Sequence, residues 1–585
     1  MRPRLKWAAL LFAAALAAAA GAYRWPLASA HVRAEFGRQL ADAVGLELRG
    51  PARAYLTLLP LPTIQLVDVE LSGADGATLI VAPQVKARIA LGPLLAGRLR
   101  LSSAILRRPT ILVDLDRSPF AKSSALARLI ASKNPSAGET PFGAFRVERG
   151  LVHLVSAENG LDTLVEDASG ELDWPRLADP ARLDLRARWR GAPVTIAARL
   201  DAPAQWLARQ SSPAFLDITS PIGALKLAGA LKSGEKNGFE GSVSADFAST
   251  AALARLFGAR PTSFPPDGRL ALAGKIVFGR HILTLSDMRL EALAQSVDGA
   301  LALTRNPSGW TLSGSLAAGA LSLDEILANA PAIYDESGWS DAPLSAGDFG
   351  ALALDLRASI AKLQWRNHVL QDAALSLMSR DGRVTATLSE ATAYKGLLKG
   401  EASFAPDERG VEMRATASLA NADIGALLAD FGATGYAGQG GGQFSVQAAG
   451  DSPAALARAL TGDASVALGP GAIEGLSFEE ALRRSERRPI NLFADMRTGR
   501  TVFNEAAAKA TIEKGEAHLR SAAMLGPGLL ITMKGGADLA ARQLAAQITA
   551  ARADEHGAPN PGGPEIHVTI TGPWARPLIK SDTGA

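Results

Sequence analysis

Strict alternation of apolar and polar positions dominates the chain. Leu183, Leu185, Ala187 and Trp189 alternate with Asp184, Arg186, Arg188 and Arg190. Leu352, Leu354 and Leu356 alternate with Ala353, Asp355 and Arg357, and Val384, Ala386 and Leu388 with Thr385 and Thr387. Val411, Met413, Ala415, Ala417 and Leu419 alternate with Glu412, Arg414, Thr416 and Ser418. Near the end, Ile566, Val568 and Ile570 alternate with His567, Thr569 and Thr571. A period of two sends successive side chains to opposite sides of a strand, so each stretch predicts one apolar and one wet face. Glycine-containing turns at Asp381-Gly382 and Arg409-Gly410 suit antiparallel meanders.

Other periods interrupt this pattern. Val32, Phe36, Leu40 and Val44 recur every four residues and predict an amphipathic helix from Ala30 to Val44, either capping a sheet or lying on a membrane. Short helices are predicted from Thr250 to Phe257, Leu321 to Ala328, Asn421 to Phe431 and Ser452 to Leu460. In the last, Ser452 serves as N-cap with Pro453 at the first helical position. Flexible connections are expected from Ser132 to Pro141, Tyr436 to Gly442 and Ala551 to Pro564, the second dominated by glycine. Many one-sidedly apolar strands must cover their apolar faces. They can close into a core, or curl into a gutter that something apolar fills.

The first residues place the rest. Arg2, Arg4 and Lys6 precede an uncharged run from Trp7 to Ala22, with Tyr23, Arg24 and Trp25 following. At ~1.5 Å per residue the run reaches ~24 Å, against a hydrocarbon core of ~30 Å. Snorkelling by Lys6 and Arg24, with Trp7, Tyr23 and Trp25 at the interfaces, covers the difference. The basic leader, residues 1–6, predicts a cytoplasmic N-terminus, a transmembrane segment over 7–25 and an exported remainder. The competing reading is a signal peptide cut at Ala20-Gly21-Ala22.

Composition narrows the chemistry. Across 585 residues, 48% are apolar but only 5% aromatic, which suits several ordered cores, or one long one, built from small side chains. The net charge of +3 comes from 61 basic and 58 acidic residues that are interspersed, so no nucleic-acid footprint emerges. Cysteine is absent, which excludes disulfides and thiolate chemistry, and the seven histidines stand at no metal-ligand spacing. Gly338-Trp339-Ser340-Asp341-Ala342 and Gly450-Asp451-Ser452-Pro453-Ala454 approach a nucleophile elbow but lack its closing glycine. Neither a P-loop nor an H-E-x-x-H motif occurs. Glu479 and Glu480 beside Arg483 and Arg484 read as the wet face of a helix, and Asp114 with Asp116 as a wet strand face. No catalytic, cofactor or metal site is predicted, and no enzyme activity.

Several segments resemble the AsmA family of Gram-negative envelope proteins. Leu59-Pro60-Leu61-Pro62-Thr63-Ile64-Gln65-Leu66-Val67-Asp68-Val69 is similar to the family's proline turn and the strand after it. Gly92-Pro93-Leu94-Leu95-Ala96-Gly97-Arg98-Leu99, running on to Arg108-Pro109-Thr110-Ile111, resembles its next conserved stretch. Gly338 to Leu344, Tyr394-Lys395-Gly396, Gly438 to Ser452, Leu460-Thr461-Gly462 and Gly469 to Leu476 are similar to its C-terminal region, as is Thr571 to Pro577. Leu476 follows Gly475 directly where the family often has an aspartate first, which bears on subfamily rather than function.

The resemblance implies a mainly β protein: an N-terminal transmembrane helix, then an elongated antiparallel β-sheet or gutter with short interspersed helices. It divides the exported body into an AsmA-like N-terminal region over 26–130, a middle β region over 131–335 and an AsmA-like C-terminal region over 336–585. It also implies a single-pass inner-membrane protein with its bulk in the periplasm. The partners implied are the inner membrane, phospholipids and outer-membrane assembly proteins. Leu352, Leu354, Leu356, Val384, Ala386, Leu388, Val411 and Met413 are then candidates to line an apolar groove. The alternative is a scaffold or regulator of outer-membrane protein assembly that carries no lipid.

Overall fold

The computed structural model describes residues 12, 15, 16, 18–26, 46–49, 53–73, 78–89, 101–114, 141–156, 161–233, 237–256, 266–307, 309–330, 332–335, 338–344, 352–430, 435–485, 499–554, 557–574 and 576–582. It divides into two units, residues 1–261 with 268–285, and residues 262–267 with 286–585. Both are built mainly from strands.

In the first unit, eight strands follow one another from Pro141–Ser156 to Leu270–Gly279, each antiparallel to the one before. Hairpin geometry fixes their register. Trp189 pairs with Ala192 across Arg190 and Gly191, whose φ values of 49° and 81° make a turn with the strands' own twist. The earlier strands Arg53–Thr57, Thr63–Gly73 and Thr78–Ile89 bury Ile64, Leu66, Val69, Ala82 and Ala87 as a compact core.

In the second unit, Gly309–Ser322 runs parallel to Leu352–Trp365. The chain makes this parallel step through a long crossover that includes the helix Leu323–Ile326 and the hairpin Tyr334–Asp335 with Gly338–Trp339. Crossovers of about a dozen residues or more are what parallel neighbours require. From Leu352–Trp365 onward the succession is antiparallel through Glu565–Pro573 to Leu578–Asp582. The antiparallel expectation therefore needs amending at this pair, and again where Leu101–Arg107 and Thr110–Asp114 run parallel to Pro141–Ser156.

Four helices fall where the apolar spacing placed them, with trimmed ends: Thr250–Leu256, Leu323–Ile326, Ile424–Asp430 and Pro453–Ala459. Ser452 caps the last, its hydroxyl accepting from the Ala455 N–H at 3.3 Å. Two expectations are corrected. Tyr436 to Gly442 is the first half of the strand Tyr436–Gly450, because ladder pairing on both sides orders backbone that composition alone reads as loose. At Gly441 an added Cβ would lie 2.3 Å from the Leu419 carbonyl oxygen, so the neighbouring strand needs glycine there. The turn expected at Arg409-Gly410 also moves by one residue: Asp407 pairs with Gly410, leaving Glu408 and Arg409 at the tip.

Ala18 to Ala22 are helical, as are Phe12, Ala15 and Leu16. Among the described residues no helix is long and apolar enough to cross a membrane. Trp7, Asp116, the segment Ala30 to Val44 and residues 132–140 lie outside the described residues. Ala551 and Arg552 finish a strand, and a turn-rich connection bridged at Ala553 and Pro559 follows.

Candidate functional site

Register carries the alternation from strand to strand. In the second unit one row runs Leu301, Gly314, Leu356, Leu377, Ala386, Ala402, Ala415, Val446, Gly462, Ile512 and Ala517, each paired with the next. Two residues along each strand, a second row runs Leu316, Ala358, Leu375, Leu388, Gly400, Ala417, Phe444, Ala464, Ala510 and Leu519. Every member of both rows is apolar and all share one face. The opposite face carries Thr387, Glu401, Thr416, Ser445, Asp463, Thr511 and His518 in the same manner. The first unit repeats the arrangement with Phe145, Leu172, Leu183, Ala198, Leu216, Leu227 and Val243.

Along the second unit's apolar face, cover is uneven. Towards its end the helix Phe478–Ser485 lays Phe478, Ala481 and Leu482 on Leu529, Ile531, Ala550, Ile566 and Val568. Met524, Ile531, Ala550 and Ile566 form a row on the same side as Ala506 and Ala508, so the helix covers the apolar face itself. Burying Phe478 and Leu482 stabilises this contact by roughly 1.5–3 kcal/mol each. At the other end Ile360, Leu363, Ala373 and Ala391 close into a small core. Between these two, Phe444 is 43% and Val466 38% exposed, and the rest of the two rows is mostly half-buried. The apolar face is covered at its ends and open in its middle.

The predicted groove residues gather on this face. Leu354, Ser379, Val384, Phe404 and Met413 pair in sequence, Leu356 meets Leu377 and then Ala386, and Leu388 pairs with Leu375. Leu352 lies in register with Trp310. Val411 is the exception in accessibility. It is buried beside Gly450, over which the helix Pro453–Ala459 packs so closely that an added Cβ would lie 2.8 Å from the Ala455 Cβ. The prediction missed Phe444 and Val446. Their alternation with Gln443, Ser445 and Gln447 is a strand signal, but the glycine run before them suggests a flexible connection.

The wet face is held by exposed ion pairs. Glu412 accepts from Arg414 at 2.7 Å and Arg383 at 3.1 Å, and those guanidiniums hold its carboxyl below the usual range. Arg146 pairs with Glu171 at 2.6 Å across a strand boundary in the first unit. Such pairs contribute little stability each. A cavity of about 750 Å³ also belongs to the wet side. Its lining joins Thr387, Thr416, Ser445 and Asp463 to Lys399, Ser418, Gln443, Ser465 and Lys509, with only the intervening row from the apolar set. None of Ala402, Val446, Leu398 or Leu419, which would wall a cavity on the apolar side, takes part.

One compact polar cluster remains. Tyr394 donates to Asp430 at 2.8 Å and lies 2.8 Å from the Nδ1 of His368. Burial, then Asp430, push the Tyr394 phenol up to about 12, which is the wrong direction for a base or nucleophile. The cluster ties the Tyr394-Lys395 turn to the end of the helix Ile424–Asp430. Among the described residues no group of three or more histidine or acidic side chains could hold a metal ion.

Comparison with curated proteins and with solved structures returned no match. Residues 317–522 match the family model described as AsmA family, a span that contains the open middle of the apolar face and the helices at its margins. Over residues 317–522 the chain is thus similar to the AsmA family.

Proposed function

We propose that this protein is a non-enzymatic component of envelope biogenesis, anchored in the inner membrane with its bulk in the periplasm. It binds or conducts phospholipids on the open apolar face. One observation carries the reading: the face bearing Ala386, Ala417, Phe444 and Val466 is apolar along successive rows yet uncovered in its middle. A soluble protein rarely leaves so many aligned apolar positions in contact with water without an occupant. Acyl chains fit the surface chemically. Each buried CH₂ stabilises the contact by about 0.8 kcal/mol without any directional bond, so low headgroup selectivity follows. The Phe478–Ser485 helix supports this, because it shows the same face accepting an amphipathic occupant.

Native mass spectrometry of the full chain, extracted in mild detergent, tests the proposal. Phospholipid should remain bound, and Phe444→Asp should remove it while the far-ultraviolet spectrum stays unchanged. A chain that retains no phospholipid under conditions that preserve its fold favours the scaffold reading.

A further inference from the structure

We infer that the turn Leu58–Leu61 is a second membrane contact, seated in the interfacial layer of the bilayer beside the N-terminal helix. The inference rests on the proposed anchor for its setting but on separate residues for its evidence. Leu58, Leu59 and Leu61 are 44%, 43% and 46% exposed, three large apolar side chains at the tip of one hairpin. From Ala54 to Val67 the sequence carries no charge, and the flanking charges Arg53 and Asp68 pair with each other at 3.1 Å at the hairpin's other end. A hairpin tip bathed in water gains nothing from this polarity. A tip held in a bilayer requires it.

The backbone fixes where the tip sits. The N–H groups of Leu58 and Leu59 both donate to the Gly21 carbonyl oxygen, at 2.9 and 2.8 Å. That carbonyl is one of those a helix leaves unpaired at its C-terminal end, so the turn caps the helix. Leu59 lies where a side chain on residue 21 would be: an added Cβ there would meet the Leu59 Cδ1 at 2.4 Å. Trp25 then pairs with Leu56, and the rings of Tyr23 and Trp25 stack edge to face at 5.3 Å. Tyrosine and tryptophan favour the headgroup boundary, where an apolar ring and a polar tip are both satisfied. The leucine turn and the aromatic pair therefore share one level, and the occupant that suits both is lipid.

The chain has no cysteine, so single-cysteine variants need no background changes. Leu59→Cys, Leu61→Cys, Leu16→Cys and Glu70→Cys, each carrying an environment-sensitive fluorophore, are placed in full-length protein. The protein is reconstituted in phosphatidylethanolamine–phosphatidylglycerol vesicles containing nitroxide-labelled lipid. The probes at Leu59 and Leu61 should shift to the blue and lose most of their emission to the nitroxide, while the Glu70 probe keeps its emission. Unquenched probes at Leu59 and Leu61 overturn the inference, including the case in which they are blue-shifted by a protein contact. The Leu16 probe reports on the anchor independently. If it alone escapes quenching, the anchor reading fails and the leucine-turn contact stands.

Discussion

The hydroxyl of Thr501 donates to the carbonyl oxygen of Leu476 at 2.6 Å and accepts from the N–H of Phe478 at 3.1 Å. One fully buried side chain thus fixes the start of the helix that covers the end of the apolar face. Thr501→Val keeps the shape and leaves both backbone groups unpaired, at about 1–3 kcal/mol. The cost falls locally. Limited proteolysis between Ser477 and Ser485 should accelerate before global stability changes much.

Exposure separates two outcomes for a charge on the same face. Ile531 is buried under the covering helix, so Ile531→Asp places an unpaired carboxylate in a core and should unfold the second unit. Phe444 and Ala386 lie in the open stretch. Phe444→Asp or Ala386→Glu should shift the denaturation midpoint little while removing bound lipid. Equal destabilisation at all three positions would mean that the middle of the face is closed.

Tyr436 makes an unusual prediction of increased stability. Its hydroxyl is buried with no hydrogen-bond partner among the described residues. Tyr436→Phe removes a desolvated polar group and keeps the ring against Phe503, at 5.8 Å between centroids. The variant should be more stable by about 1 kcal/mol in chemical denaturation.

Much of this was legible in the sequence. Alternation at Leu183–Arg190, Leu352–Arg357 and Val411–Leu419 predicts strands that the structure contains, and within each unit each apolar face continues onto the paired strand. What alternation could not supply is register between distant strands. Nothing local shows that Leu354 pairs in parallel with Leu312, because the crossover that allows it is set by tertiary packing. The glycines from Gly438 to Gly442 misled for a related reason, since composition records a glycine's freedom and not the close neighbours that remove it. The difference between buried Val411 and open Ala386 depends on a helix elsewhere in the chain.

Alkaline stability should show the raised phenols. Tyr394 is pushed up to about 12, above the unfolded value near 10, so the folded state keeps a proton that the unfolded state releases. Its contribution is therefore complete below about pH 10 and lost as pH rises towards 12. Tyr436, pushed up to about 12 by burial alone, acts with the same sign. Tyr394→Phe and Tyr436→Phe should each flatten the decline of unfolding free energy over that window. An unchanged slope in both would contradict these environments.

The most direct test of the open apolar face is site-specific photocrosslinking in intact cells. A photoreactive residue is placed in turn at Phe444, at Ala386, at Ile531 under the covering helix, and at Thr416 on the wet face. The account predicts abundant phospholipid adducts at Phe444 and Ala386 and few at Thr416. Ile531 should give crosslinks within the chain. A folded protein with no lipid adduct at Phe444 and Ala386, or with equal adducts on both faces, would contradict it.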